Sequence, residues 1–210
     1  GDVKDKYNLI AATPELIYDT RDNVNDPTKG LYADFTYERG DLLKDPRKYD
    51  RFEADLRAFH PLFGKRNVMA YRAVWGSTGS GTPDAMRFSV GGAETLRGYE
   101  YGAFDGYDQF YASIENRTKI NDTVQLVAFF DIGNAWQKEG INPATGRRTY
   151  SPDRKNSHKF KDLKKGYGVG LRLNTPVGPL RFDYGWPMDP EKPGKKKDKG
   201  KFYFSFGQSF

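Results

Sequence analysis

Apolar and polar residues alternate with a period of two along most of this chain. In residues 201–210, for example, Phe202, Phe204 and Phe206 alternate with a tyrosine and a serine. This period predicts β-strands, because successive side chains of a strand point to opposite faces of the sheet. No helical period is present, so the sequence predicts an all-β protein. Nine segments fit the pattern, two of them (14–22 and 66–77) less regularly: residues 14–22, 30–40, 49–60, 66–77, 109–120, 124–136, 166–176, 178–187 and 201–210.

The two faces of these segments differ strongly in polarity. In residues 124–136 one face carries Leu126 and Phe130, whereas Gln125 and Asp131 lie on the other. Tyrosine, tryptophan and phenylalanine cluster near the strand ends, as in the aromatic girdles that flank the lipid-facing band of a membrane barrel. These features favour an antiparallel transmembrane β-barrel. The alternative is a soluble barrel or sandwich with one buried face.

Short and long connections also alternate along the predicted sheet. Short links lie near Phe63 and Asn121, and long links run through residues 79–108 and 137–165. Membrane barrels have this arrangement, with short turns at one end and long loops at the other. We therefore expect a single barrel domain over residues 1–210, with about eight, or nine, strands.

The composition fits a barrel in which polar lumen-facing residues lower the mean hydropathy, although the outer band is apolar. Hydrophobic residues make up 37% of the chain and the mean hydropathy is −0.82, yet aromatic residues reach 15%. Disordered chains, by contrast, are depleted in aromatic residues. No run of about 18 apolar residues is present, so we expect no membrane-spanning helix. The chain begins GDVKDKYNL without an apolar signal segment, and we expect it to be processed or truncated.

The formal net charge of +6 raises the question of a nucleic-acid partner. The basic residues do not form one stripe; they are densest in residues 191–201, which we interpret as a solvated turn. The sequence contains no cysteine, which excludes disulfides and thiolate metal sites. We expect no nucleic-acid partner.

The residue types that carry most enzyme chemistry are few and scattered. His60 and His158 lie on different segments, and neither has a metal-ligand spacing. The glycine-rich residues 76–81 lack the lysine of a phosphate-binding loop. Glu115 and Asp131 resemble a hydrolytic carboxylate pair, but the sequence offers no nucleophile or carbohydrate platform beside them. We therefore expect no enzymatic activity, no cofactor and no metal.

Short motifs occur in a fixed order along the chain. The stretch GGAETLRGY ends on an Arg-Gly-aromatic triplet formed by Arg97, Gly98 and Tyr99. The stretch FFDIGNAW contains an aromatic-x-Asp-x-Gly sequence with Asp131 and Gly133. Together with YDTRDNVNDPTKG, ASIENRT and GYGVGLRLNTPVGPLRFDYGWP, they resemble the barrel of the outer-membrane assembly factors of the BamA and TamA type, the surface-antigen superfamily. The resemblance covers the C-terminal part of that barrel only, without the periplasmic repeat domains of the family.

The resemblance implies that the loop with the Arg-Gly-aromatic triplet folds into the barrel lumen. There Arg97 would meet Glu115 and Asp131, which the period of two independently places on the polar face. A guanidinium suits this role because it is always charged and binds carboxylates through two parallel hydrogen bonds. The alternative is that Arg97 is a solvated loop residue and that Asp131 has other partners.

The resemblance also implies a role for the last strand. Phe202, Phe204, Phe206 and Phe210 would form the C-terminal strand signal and one side of a seam with the first strand. A weakly paired seam would open and template the strands of client outer-membrane proteins, beside a locally thinned bilayer. The implied partners are therefore the lipid bilayer and client proteins, in a bacterial-type outer membrane. The alternatives are a passive channel or structural barrel, or the isolated barrel fragment of a larger assembly factor.

The width of the lumen raises the question of how the barrel closes. A closed barrel of about eight strands has room for little more than its own side chains, so a loop as long as residues 79–108 needs a wider one. Two chains that each give about eight strands would provide that width as a homodimer. The alternative is a small closed monomer with the loop over its mouth.

Overall fold

The structure, a computed structural model, describes residues 8–43, 48–64, 66–137, 160–175, 178–190 and 199–207. Two short 3-10 turns lie within these ranges, at Asp84–Met86 and Phe160–Asp162. Among the described residues, we find no helix with the length and apolar character needed to cross a membrane. The strands are β1 (Asn8–Ala12), β2 (Glu15–Asp19), β3 (Gly30–Leu43), β4 (Lys48–Pro61), β5 (Asn67–Thr78), β6 (Phe88–Val90), β7 (Phe104–Gly106), β8 (Asp108–Lys119), β9 (Val124–Trp136), β10 (Lys164–Thr175), β11 (Gly178–Pro187) and β12 (Lys201–Phe206).

Ten of these strands form one antiparallel sheet. Its order is β1–β3–β4–β5–β8–β9–β10–β11–β12, and β2 also pairs with β3. The strands β1 and β2 follow each other along the same edge, because Ala12 pairs with Arg39 and Glu15 pairs with Thr36. They are separated at Pro14, which has no N–H to donate to the ladder. They therefore act as one interrupted strand, so that the sheet has nine strand positions.

Each of the nine segments predicted from the sequence contains a strand of this sheet. The all-β, antiparallel class is therefore confirmed. Three strands were not predicted. β6 and β7 have three residues each, which is too short for a period to be recognised, and β1 has the sequence NLIAA, which does not alternate.

The polarity of the sheet is inverted relative to that of a water-soluble protein. On the apolar face, Val169 is 54% exposed and Phe204 is 57% exposed, whereas Glu115 and Asp131 on the polar face are 0% and 1% exposed. This arrangement fits a protein whose outer face contacts lipid and whose charged face lines a lumen. It does not fit the alternative of a soluble sandwich. Other exposed residues of the apolar face are Leu16, Leu31, Phe35, Leu56, Tyr71, Trp75, Ile114, Leu126, Phe130, Tyr167, Tyr184 and Trp186.

Aromatic side chains pack across neighbouring strands on the apolar face. Tyr167 and Trp186 stack with their ring centroids 5.6 Å apart, and the rings of Phe182 and Phe204 lie 5.2 Å apart. Both pairs are directly opposite each other in the ladders, where such contacts stabilise the pairing. They help to fix the register of β10, β11 and β12. A slip by one residue would turn the charged side chains of these strands towards lipid.

Short and long connections alternate in the described part of the chain. Residues 62–66 join β4 to β5, and residues 120–123 join β8 to β9. At the opposite end of the sheet, residues 79–107 join β5 to β8 and contain the small hairpin of β6 and β7. Most of the second long connection predicted from the sequence, residues 137–165, lies outside the described residues.

The sheet has two edges without a neighbouring strand in the described part of the chain. β12 pairs only with β11, over six residues, and β2 pairs only with β3. No ladder joins the two edges within the described ranges, so these nine strand positions do not close a barrel by themselves. The small closed monomer that was the alternative above is not what these strands form.

Candidate functional site: a loop locked onto the polar face

The connection between β6 and β7, residues 91–103, lies against the polar face of the sheet; we call it the lock loop. Its residues Leu96 and Tyr99 are buried in a cluster with Val74 and Tyr111 of the sheet. Removing these large apolar side chains from water stabilises the inward position of the loop. The same cluster places Arg97, which lies between Leu96 and Tyr99 in sequence, over β8 and β9.

Arg97 binds the carboxylate of Asp131 on β9 with three donors. Its backbone N–H and its Nε both donate to Oδ2 of Asp131, at 3.0 and 2.8 Å, and its Nη2 donates to Oδ1 at 2.8 Å. The two guanidinium bonds form the bidentate geometry that an arginine fork makes with a carboxylate. The additional backbone bond fixes the loop itself, and not only its side chain, to β9.

The remaining donors of Arg97 are directed to β8. Its Nη1 donates to Oε1 of Glu115 at 2.7 Å, and its Nη2 donates to Oγ of Ser113 at 3.1 Å. The guanidinium carbon lies 3.4 Å from the ring centroid of Phe129, a cation–π geometry. Arg97 is buried together with both carboxylates. The structure thus brings together Arg97, Glu115 and Asp131, and the solvated alternative for Arg97 does not describe this geometry.

The contacts of Arg97 with Asp131 and Glu115, here called the lock, are surrounded by further arginines on the polar face. Nε of Arg117 donates to the second oxygen of Glu115 at 2.8 Å. Asp183 lies between Arg172 and Arg181, with its oxygens 2.5 and 3.2 Å from their guanidinium nitrogens. Positive and negative groups therefore alternate through the network. This alternation satisfies the condition for burying charge, since each ion has a hydrogen-bonded counterion.

The surroundings of Arg97 act on its protonation in opposite directions. Burial disfavours the charged form, but the adjacent Asp131 and Glu115 outweigh it and raise the pKa of Arg97 further above its already high ordinary value. The guanidinium therefore stays charged at neutral pH.

Gly98 and Tyr99 extend the lock towards the strands beyond β9. Gly98 has a φ of +101°, which favours glycine, and a Cβ at this position would lie 2.8 Å from the backbone nitrogen of Pro187 at the end of β11. The hydroxyl of Tyr99 lies 2.9 Å from the carbonyl oxygen of Lys165 and accepts a hydrogen bond from the N–H of Asp189 at 3.2 Å. The Arg-Gly-aromatic triplet thus contacts β8 and β9 and reaches the start of β10 and the end of β11.

Glycines in the sheet make room for this close approach. A Cβ at Gly166 would lie 2.0 Å from the carbonyl oxygen of Arg97, and one at Gly185 would lie 2.7 Å from the backbone nitrogen of Gly98. Gly133, a predicted site residue, lies beside Phe110 and Tyr111 of β8. A Cβ there would lie 2.7 Å from Cβ of Tyr111, so Gly133 accommodates the cluster that holds the loop.

The predicted phenylalanines of the last strand lie apart from the lock. Phe202, Phe204 and Phe206 are exposed on the apolar face of β12 and pair across to β11. Phe210 lies outside the described residues. The predicted site residues thus divide into an inner group around Arg97 and an outer group along the edge of the sheet.

Several residues of the lock were not predicted from the sequence. Ser113, Phe129 and Asp183 all lie on the polar face that the period of two defined, but nothing in their spacing indicates that a distant loop reaches them. Tyr203 on β12, whose hydroxyl contacts the lock loop, was likewise missed. The run of glycines at alternate positions from Gly166 onwards was the one available signal for close backbone approach.

An antiparallel sheet with an apolar outer face, a charged inner face and a loop folded against that inner face defines a transmembrane β-barrel protein. The chain belongs to the Omp85 superfamily, whose domain profile matches residues 1–210. The resemblance stated from the motifs is therefore confirmed. Membership also places the protein in an outer membrane, as expected from the sequence.

Relatives and solved structures give the extent of this similarity. The chain is 30% identical to the outer membrane protein assembly factor BamA of Nitratidesulfovibrio vulgaris, over 91% of its own length and 24% of the relative's. It is 28% identical to the chloroplastic outer envelope protein 80 of Arabidopsis thaliana over 57% of its length and 14% of the relative's. The crystal structure of Haemophilus ducreyi BamA lacking POTRA domains 1–3 matches the fold with a TM-score of 0.73 at 20% identity, covering 94% of this chain and 42% of that one. The chain thus spans about a quarter of the length of the first relative.

The buried position of Arg97 predicts the effect of its removal. Arg97→Ala leaves Asp131 and Glu115 buried without their shared cation, and we expect it to lower the free energy of unfolding by about 3–5 kcal/mol. Urea titration of the protein in lipid vesicles measures this loss. Limited proteolysis should show cleavage within residues 91–103 in the variant only.

The matched control is Arg39→Ala. Arg39 pairs with Asp50 on the outer face of the sheet, opposite to the face that carries Arg97, and both side chains are about half exposed. Such a pair contributes about 1 kcal/mol or less, and the lock loop should stay protected in this variant. Equal losses for the two substitutions would contradict a buried lock.

Proposed function

We propose that this chain forms part of the barrel of an outer-membrane assembly factor that inserts or translocates other outer-membrane proteins. The observation that carries this proposal is the short edge strand β12, which lies next to a loop locked in the lumen. The family membership and the names of the BamA relatives support it. The lock holds the interior of the sheet rigid, and the edge is the part left able to exchange partners.

The length of β12 supports a role for this edge in client binding. β12 has six residues, whereas β3–β5 and β8–β11 have 10 to 14 residues each. A shorter ladder has fewer hydrogen bonds to hold the strand in place. Gly207, directly after β12, has a φ of +98° that ends the strand. An edge of this kind offers its N–H and C=O groups to an incoming extended strand.

A passive channel is the second candidate function, and the filled polar face is an argument against it. The cavity between the lock loop and the sheet, lined by Arg72, Glu94 and Arg97 among others, has a volume of about 10 Å³. This volume holds no more than one water molecule. A pore needs an open path through the lumen, and the lock loop leaves none between itself and this part of the wall.

We also propose that the role is not enzymatic. Asp131 and Glu115 are each engaged by guanidinium groups at 2.7 to 2.8 Å. Carboxylates whose oxygens are occupied by guanidinium donors in this way are not free to contact a substrate.

Client binding at β12 is tested by disulfide trapping, which the absence of native cysteines makes specific. The protein with Phe204→Cys is reconstituted into vesicles with a urea-unfolded outer-membrane barrel that carries one cysteine in its last strand. We expect disulfide adducts to form while the client is inserting. We also expect the client to fold faster than in protein-free vesicles.

The control for this experiment is Phe130→Cys. Phe130 is also exposed on the apolar face, but it lies on the central strand β9, which already has neighbours on both sides. It should give no adducts. Equal adduct formation at both positions, or client folding no faster than in empty vesicles, would refute the proposed function.

We further propose that the two open edges pair with strands beyond those described, to make a lumen wide enough for the lock loop. A second copy of this chain, giving the homodimer expected above, is one source of these strands, and further strands of a longer polypeptide are the other. The inward position of the lock loop supports a wide barrel in either case, because about eight strands alone leave no space for it.

The cysteine pair Leu16→Cys and Phe204→Cys distinguishes these arrangements. Both residues lie on the apolar face, one on each edge of the sheet. A wide barrel predicts no cross-link within a chain after oxidation in membranes. A cross-linked dimer on a denaturing gel identifies a second copy as the source. An efficient cross-link within one chain would refute the wide barrel.

A further inference from the structure

Tyr203 lies on the polar face of β12, between two phenylalanines that face the other way. It is 5% exposed, and its hydroxyl accepts a hydrogen bond from the N–H of Gly98 at 2.9 Å. The same hydroxyl donates to the carbonyl oxygen of Tyr99 at 2.6 Å. A tyrosine hydroxyl has one proton to donate, and here that proton is used on the lock loop. Tyr203 is therefore fixed to the loop backbone by both of its hydrogen-bonding functions.

The N–H groups of two consecutive loop residues are thus bound to strands three positions apart in the sheet. The N–H of Arg97 donates to Asp131 on β9 at 3.0 Å, and the N–H of Gly98 donates to Tyr203 on β12 at 2.9 Å. The N–H of Gly98 belongs to the rigid peptide unit that begins at Cα of Arg97, so only two rotatable bonds separate it from the N–H of Arg97. The loop backbone also lies close to the end of β11, since a Cβ built on Gly98 would come within 2.8 Å of the backbone nitrogen of Pro187. A movement of Arg97 away from Asp131 consequently displaces the amide that holds Tyr203.

Two more contacts join the loop to the same strand. Nζ of Lys201 lies 2.5 Å from Oε1 of Glu100, and the ring of Tyr101 meets the ring of Tyr203 edge-on, with centroids 5.9 Å apart. The strand β12 has a neighbouring strand on one side only in the described part of the chain, over six residue pairs. Contacts with the lock loop are therefore a substantial part of what holds this edge strand.

We propose that Tyr203 is a positioning residue whose two hydroxyl hydrogen bonds, here called the clasp, hold β12 to the lock loop. Through this clasp, the Arg97 lock controls how readily the edge strand detaches. This inference rests on the proposed function, in which β12 receives the client strand. With the lock closed, the clasp keeps β12 on β11. When the lock loop moves, the clasp opens and the edge is held by its short ladder alone.

The test is hydrogen–deuterium exchange of the full-length protein, reconstituted into lipid vesicles without any client. Tyr203→Phe keeps the ring and removes the hydroxyl with its two hydrogen bonds. We expect the amides of residues 202–206 to exchange roughly 10-fold faster or more, with β8 and β9 unchanged. The control is Tyr184→Phe, which removes a hydroxyl from the apolar face of the adjacent strand and should leave β12 unchanged.

The coupling itself is tested by combining substitutions. Arg97→Lys keeps the charge but loses the bidentate fork, and it should accelerate exchange in β12 when Tyr203 is present. In the Tyr203→Phe background it should add nothing further. Unchanged β12 exchange in Tyr203→Phe, faster exchange throughout the sheet, or purely additive effects would each overturn the clasp.

The outcome for the clasp is separable from that for the proposed function. Client adducts at Phe204→Cys together with unchanged exchange in Tyr203→Phe would refute the clasp alone. Accelerated exchange without client adducts would support the clasp and refute the proposed function.

Discussion

The ion pair between Arg97 and the carboxylates of Asp131 and Glu115 is the interaction on which the rest of this structure depends. A guanidinium removed from water is strongly unfavourable unless its donors are satisfied, and here they are bound by two strands and stacked on Phe129. The loop must come very close to the sheet to achieve this. Gly166 and Gly185 allow that approach, since a side chain at either position would collide with the loop backbone.

The lock divides the sheet into a firm interior and a weakly held edge. β8, β9 and β10 have long ladders on both sides, and the loop adds contacts to β8 and β10. β12 has a short ladder on one side. Stability is not uniform across a protein, and segments that change partners come from its less stable parts. This difference links the geometry of one arginine to the proposed exchange of strands at the edge.

Much of the fold could be predicted from the sequence, because the period of two specifies both the strands and their faces. It placed Glu115 and Asp131 on the polar face correctly, and the motif resemblance pointed to Arg97 as their neighbour. Tyr203 and Asp183 could not be predicted as parts of the lock, although their faces were. Their contacts depend on the path of a loop about 85 to 105 residues away in the chain, and no local pattern encodes that path.

The most direct test of the lock is the distance between its partners in a lipid bilayer. Solid-state NMR on protein with ¹⁵N-labelled arginine and ¹³C-labelled aspartate measures the dipolar coupling between guanidinium nitrogens and carboxyl carbons, and Arg97→Lys identifies the signal. The structure predicts a strong coupling between Arg97 and Asp131, as expected for N–O distances of 2.8 Å. The absence of this coupling, with a guanidinium that exchanges with water as fast as that of Arg39, would contradict the account.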